Sequence, residues 1–238
     1  MSLDNLEILT PRDREQLLRA LADFAPSGFG WAVADRADAD KYKPVPQEAA
    51  CIKADACQKR QNDFCMGRAA AHKALAGISA DKGPILKSDS GRPLWPKGFT
   101  GSISHKQNAA VALAGPKGRV MDLGLDLELK AAPIGEAVAR RICLAEELAW
   151  VSADKALFHQ RTRMLFSAKE SVYKAFSAAF DLKPGFLDIA LLWNDAQGAF
   201  SGRILRPLTA CSQAEGLCLF VPCALTDSFI LTVFFLCR

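Results

Sequence analysis

Two carboxylates stand two residues apart in the run Met-Asp-Leu-Gly-Leu-Asp-Leu-Glu-Leu over residues 121–129. Leu123, Leu125, Leu127 and Leu129 alternate with Asp122, Gly124, Asp126 and Glu128, and period-two alternation predicts a strand buried on one face. Asp126 and Glu128 then leave the same side roughly 7 Å apart. That is close enough for both to bind one hard cation such as Mg²⁺, which selects carboxylate oxygens. The same alternation also describes an ordinary half-exposed strand with a solvated acidic face.

Further acids and bases lie on predicted helices and loops. Leu165, Ala168, Val172, Phe176 and Ala179 share one helical face. Glu170 and Lys174 sit nearly opposite that face and Lys169 flanks it; as an i, i+4 pair, Glu170 and Lys174 equally suit a surface ion pair worth ~0.3 kcal/mol. Arg60 and Arg68 are two turns apart on a helix predicted over 47–76. Gly67 between them costs ~1 kcal/mol of helix stability and permits close approach, although a solvated basic face would carry the same arginines. Lys87 lies in a turn-rich region, 84–101, that runs into Gly-Ser-Ile-Ser-His at 101–105, with Ser102 and Ser104 on one face and His105 at the end.

These residues must be positioned by a chain of 238 residues, half of them hydrophobic and 24% charged, the balance of a globular protein with a substantial core. The net charge of +4 is modest, too small for a typical nucleic-acid binder, but Lys and Arg gather in 53–73 and 140–174, which suggests a localised anion site. The first 25 residues hold charges throughout, so no secretory signal is expected and the cytoplasm is the expected location. The most apolar segment, 229–237, falls short of the ~20 residues that span a bilayer. Eight cysteines without a C-x₂-C pair read as reduced, mostly buried apolar residues. Histidines at 72, 105 and 159 are too scattered for the second metal cluster of a phosphodiesterase.

In order, the chain predicts a helix capped by Thr10 with Leu17, Leu18, Leu21 and Phe24 inward, a strand over 29–34, a loop over 35–46, and the 47–76 helix. A small-residue strand at 109–114 and a turn at 115–118 precede the acidic strand. Two helices over 134–179 break near 152–155, breakers lie at 181–185, and four strands lie near 186–193, 199–205, 217–225 and 229–237. The class is α+β. Residues 29–114 and 119–238 repeat one order: strand, helix, strands.

Three blocks are recognisable together: Gly-Ser-Ile-Ser-His at 101–105, Gly-Leu-Asp-Leu-Glu at 124–128, and Phe-Ser-Ala-Lys-Glu-Ser-Val-Tyr-Lys-Ala at 166–175. In this order and spacing they resemble the 4′-phosphopantetheinyl transferases of the large, monomeric type used in siderophore and other carrier-protein-based synthesis, most closely the enterobactin-synthetase group. Lys59-Arg60, Gly67-Arg68-Ala69-Ala70 and Trp95-Pro96 add to a likeness that spans residues 55–185. It implies a pseudo-dimer of two similar α/β halves, 1–117 and 118–238, related by an approximate two-fold axis with coenzyme A between them. The implied reaction moves the phosphopantetheine arm of coenzyme A onto a serine hydroxyl of an acyl, peptidyl or aryl carrier protein, releases adenosine 3′,5′-bisphosphate, and depends on Mg²⁺.

Matched position by position, the resemblance makes Asp126, Glu128 and Glu170 the Mg²⁺ ligands, with Glu128 or a water third, and Glu170 the general base. It turns Lys169 and Lys174 toward the pyrophosphate and gives Arg60, Arg68, Lys87, Ser104 and His105 the nucleotide phosphates. Leu125 and Leu127 replace the family's usual isoleucine or valine. The expected carriers are acidic, so the basic segment with Arg140, Arg141, Lys155, Arg161 and Arg163 is the expected docking face. The competing reading is a non-catalytic coenzyme A or nucleotide-binding protein; three carboxylates beside a polyphosphate would gain such a binder nothing.

Overall fold

The computed structural model describes residues 9–53, 55–80, 83–181, 183–205 and 217–237. By its internal contacts the chain divides into two units, Met1–Val120 and Met121–Arg238.

In the first unit, helix α1 (Pro11–Phe24) begins where Thr10 Oγ1 accepts the Asp13 N–H at 3.0 Å. Leu17 and Leu21 are buried, whereas Leu18 is exposed, so the inward stripe is narrower than expected. Strand β1 (Gly30–Asp35) leads into helix α2 (Arg36–Lys41), where the prolines suggest a loop. Asp35 and Asp38 accept each other's backbone N–H at 3.1 Å, closing a capping box, and both prolines fall beyond the helix end. The 47–76 helix is two helices, α3 (Pro46–Ala49) and α4 (Gln58–Ala76). In one straight helix Glu48 and His72 would lie ~36 Å apart. Instead, Glu48 Oε1 is 2.8 Å from His72 Nε2 and accepts the Ile85 N–H at 2.8 Å, so the chain folds back to bring this carboxylate inside.

Strands β2 (Leu86–Lys87) and β3 (Pro93–Leu94) form a short hairpin with Gly91 at φ +90°, and β4 (Phe99–Lys106) pairs along its length with β5 (Ala109–Pro116). Part of the region expected as loop is therefore sheet, where pairing satisfies its backbone polar groups. The main sheet runs β1-β5-β4, and α4 lies on β1 and β5. Ala69, Ala70, Ala71 and Ala74 meet Ala32, Ala34, Ala110, Ala112 and Ala114, and these small side chains let helix and sheet approach closely. A Cβ on Gly30 would lie 2.0 Å from the Ala74 carbonyl oxygen.

The second unit opens on β6 (Asp122–Leu129) and has three helices where two were expected: α5 (Glu136–Ile142), α6 (Ala145–Ser152) and α7 (Phe158–Phe180). The additional break falls where Glu147 Oε2 accepts the Leu144 N–H at 2.6 Å. Asp181, in the left-handed region at φ 55°, ends α7. Strands β7 (Ile189–Asn194), β8 (Ala199–Ile204), β9 (Cys218–Leu225) and β10 (Phe229–Leu236) complete a sheet ordered β6-β10-β9-β8-β7. Both units thus follow one plan: the first strand pairs antiparallel with the last, the last neighbours the penultimate, and a long helix covers the first and last.

The acidic face of β6 is not a solvent face. Helix α7 packs on β6, and Asp122, Asp126 and Glu128 are 4%, 6% and 7% exposed. Of the seven cysteines described, all free, Cys143 and Cys223 are buried while Cys57, Cys218 and Cys237 are exposed, which corrects the expectation that most are buried; Cys211 lies outside the described residues, as do the first eight of the N-terminal residues considered above. Among the described residues no helix is long and apolar enough to cross a membrane.

A Cβ on Gly124 would lie 1.8 Å from the Ser171 carbonyl oxygen. Gly124→Ala should therefore lift α7 from β6 and cost about 3 kcal/mol, read as a lower urea midpoint. An unchanged midpoint would show that helix and strand are not held at backbone contact.

Candidate functional site

The second unit gathers the predicted acids. Gly124, Asp126 and Glu128 share the strand face over which α7 runs, and Lys174 reaches across to it: its ammonium donates to Asp126 Oδ1 at 2.6 Å and to the Leu125 carbonyl at 2.9 Å. Arg163, about three turns earlier on α7, donates from Nη1 to Glu128 Oε2 at 2.7 Å, and from Nε and Nη2 to the Ala132 and Pro133 carbonyls at 3.2 and 3.1 Å. Burial pushes the Glu170 carboxyl above its ordinary value; repulsion from Asp126 adds to this, Lys174 opposes it, and Glu128 contributes further. The three carboxylates therefore act within one electrostatic field.

Among the described residues no three histidine, cysteine, aspartate or glutamate side chains are arranged as a metal-holding group. The donor chemistry nevertheless fits a hard divalent cation, because the acids are oxygen-only and repel one another. Lys174 and Arg163 each hold one oxygen of that set.

Lys169 corrects the expectation for the pyrophosphate. It is 0% exposed, and its ammonium donates to Glu147 Oε2 at 2.7 Å and to the carbonyls of Ile142 and Phe186 at 2.8 Å each. An ammonium has three N–H donors, and all three are used inside the fold. Burial pushes this ammonium below its ordinary value while Glu147 opposes the shift.

The first unit collects the predicted phosphate-binding residues around α4. Arg68 is buried, stands 4.7 Å over the Phe64 ring, and donates from Nη2 to the Leu86 carbonyl at 3.0 Å, beside Lys87. Its Nε is buried without a hydrogen-bond partner among the described residues, a donor that an anionic ligand would satisfy. Across the helix, Gly67 faces Ile103 of β4, and His105 Nδ1 lies 3.9 Å from Asp63 Oδ2. Ser104 is buried; Arg60 and Lys87 are exposed.

The basic docking segment also needs correction. Arg163 is spent on Glu128 and two carbonyls, and Arg161 donates to the Trp150 carbonyl at 3.0 Å and lies 5.3 Å over the Trp150 ring. Arg140, Arg141 and Lys155 remain exposed; Arg140 and Lys155 border a cavity of about 560 Å³ whose apolar wall includes Ile134, Leu148 and Phe158. Sequence reasoning missed Glu147 and Arg163 as partners of Lys169 and Glu128, and it missed Tyr42 and the contacts of Glu48 with Tyr42, His72 and Ile85. For Arg163 a signal existed: it lies seven residues before Glu170, close to the same helical face.

The sequence is also similar to those of known proteins. Residues 47–115 match the family model for the 4′-phosphopantetheinyl transferase N-terminal domain, and residues 122–221 match that of the 4′-phosphopantetheinyl transferase superfamily. The chain is 34% identical over 185 residues to 4′-phosphopantetheinyl transferase Svp of Streptomyces mobaraensis, covering 74% of each chain. It is 32% identical over 162 residues to 4′-phosphopantetheinyl transferase PptT of Mycobacterium tuberculosis, covering 68% of this chain and 70% of that one. With enterobactin synthase component D of Salmonella typhi it shares 37% identity over 130 residues, 54% of this chain and 53% of the other.

Removing one member of a buried ion pair leaves the other uncompensated, so Lys169→Met should lose about 3 kcal/mol in urea unfolding. Lys174, with its side chain 27% exposed, should lose less than about 1 kcal/mol on the same change. A Lys169→Met protein as stable as wild type would return Lys169 to the phosphate-facing role.

Proposed function

The chain belongs to the 4′-phosphopantetheinyl transferase family, enzymes that move the phosphopantetheine arm of coenzyme A onto carrier proteins, and on that premise we propose which residues perform the transfer. Arg60, Arg68, Lys87, Ser104 and His105 bind the nucleotide phosphates. Asp126 and Glu170, with Glu128 or a water, would hold Mg²⁺. That ion, when bound, offsets charge on the pyrophosphate. The observation that best supports this assignment is that Asp126 and Glu128 stand on the strand β6 against which α7, the helix carrying Glu170, packs.

The carrier serine oxygen attacks the β-phosphorus, a new P–O bond forms, and the bond to the departing adenosine 3′,5′-bisphosphate breaks. Glu170 accepts the serine proton directly or through a water, a contribution of ~10²- to 10⁴-fold. Lys174 supplies positive charge at the leaving group, and orientation of the reactants provides most of the rest, as in other phosphoryl transfers. Lys169 acts behind this set by fixing the roll of α7 through Glu147. The likeness to enterobactin synthase component D supports carriers of siderophore assembly as substrates, and we place the reaction in the cytoplasm.

The carrier should dock beside Arg140, Arg141 and Lys155, with apolar contacts toward Leu148 and Phe158. Intact mass of a carrier panel incubated with enzyme, coenzyme A and Mg²⁺ tests the activity directly. Asp126→Ala should lower kcat/KM at least ~10²-fold, about 2.7 kcal/mol of transition-state stabilisation, with the fold retained. Full activity in that variant, or in excess chelator, would remove the metal assignment. Charge reversal by Arg140→Glu with Arg141→Glu should raise KM for the carrier but not for coenzyme A. The effect should fade with salt, since exposed charges are screened beyond ~10 Å at 0.1 M. A wild-type carrier KM at low salt would move the docking face elsewhere.

A further inference from the structure

Glu48 has no part in the chemistry above, yet it is 0% exposed. A carboxylate so buried is costly unless its oxygens are matched by donors, and here three separate segments supply them. The Tyr42 hydroxyl donates to Oε2, the Ile85 N–H donates to Oε1 at 2.8 Å, and His72 Nε2 lies 2.8 Å from Oε1. Two of these contacts lead to Arg68. His72 follows Arg68 by four residues, so the two side chains are neighbours on one face of α4. Ile85 immediately precedes Leu86, whose carbonyl accepts the Arg68 Nη2 hydrogen at 3.0 Å.

Arg68 is thus held along one edge. Phe64 lies beneath its guanidinium at 4.7 Å, the Leu86 carbonyl takes one hydrogen, and the buried Nε has no acceptor among the described residues. The guanidinium is oriented by the carbonyl it bonds, and that carbonyl is fixed by the preceding peptide, which Glu48 grips.

We infer that Glu48 is a positioning residue for coenzyme A: by clamping Ile85 to His72 and Tyr42 it fixes the Leu86 carbonyl, and through it the guanidinium of Arg68 that meets a phosphate of the ligand. The inference rests on the assignment of Arg68 to nucleotide phosphate made above. Electrostatics act in the same direction, since burial pushes the Arg68 guanidinium below its ordinary value and Glu48 is the foremost charge opposing that shift.

The test is a double-substitution cycle on the full chain, read as the Kd of adenosine 3′,5′-bisphosphate by calorimetry and as the KM values for coenzyme A and carrier. Glu48→Gln keeps the side-chain shape but removes the charge and one acceptor. It should weaken bisphosphate binding and raise KM for coenzyme A ~10-fold, the size of one lost charge-assisted hydrogen bond. Values of kcat and of KM for the carrier should stay within about twofold, because the interaction acts on ligand binding alone. In an Arg68→Ala background the same substitution should add less than about twofold, because the two residues act in series. Should Glu48→Gln fail to fold, Tyr42→Phe removes one donor from the same carboxylate, and about a threefold effect that vanishes in the Arg68→Ala background is expected.

If Arg68→Ala weakens binding while Glu48→Gln, or Tyr42→Phe in its place, leaves it at the wild-type value, the positioning role is overturned and the phosphate site stands. Multiplying effects of the two substitutions would overturn it equally. If Arg68→Ala changes neither Kd nor KM, the assignment of Arg68 fails and the role of Glu48 falls with it.

Discussion

At Gly124 the backbone of α7 rests on the backbone of β6, with no room for a side chain between them and Ser171. Because the separation is set by main-chain atoms, the residues either side of Ser171 on the helix have one place to go. Glu170 and Lys174 lie along the strand's polar face, next to Asp126 and Glu128, and a wider spacing would break every contact in that cluster. The first unit uses the same device at Gly30 beneath the Ala74 carbonyl, there with alanines lining both surfaces. Close helix-on-sheet approach is therefore shared by both units, and in each it sets where the polar residues of the long helix emerge.

Neighbouring residues on α7 have opposite fates. Successive positions on a helix are rotated by about 100°, so Lys169 turns beneath the helix toward Glu147 while Glu170 turns toward β6. The Glu147 carboxylate also accepts the N–H groups of Leu144 and Leu191, which joins α6, α7 and β7 at one point. A buried ion pair of this kind adds little net stability over apolar packing. What it does is resist rotation of α7 about its axis, since a roll would separate Lys169 from three oxygens at once.

Local rules made much of this legible in the sequence. The Thr10 cap, the leucine alternation of β6 and the Gly/Pro breaks located elements whose ends match closely, such as the last strand, expected over 229–237 and found at Phe229–Leu236. The combined blocks around His105, Asp126 and Glu170 identified the family. What stayed hidden depends on distant partners. The fold-back before α4 follows from Glu48 seeking donors 24 and 37 residues onward, which periodicity does not encode. A helical wheel puts Lys169 at the flank of the apolar face and Lys174 opposite it, but it does not show that Glu147, 22 residues earlier, takes the Lys169 ammonium into the core. The capping box at Asp35 was masked by the prolines that follow it.

The pairing of Asp126 with Lys174 and Glu128 with Arg163 also governs how an anion is received. Three bare carboxylates would raise a negative potential against a polyphosphate arriving from solution, slowing its encounter before any contact formed. With two bases set among the three acids, most of that outward field is cancelled within the cluster. The acids can thus take part in the chemistry of a highly charged ligand without acting as a barrier to its capture.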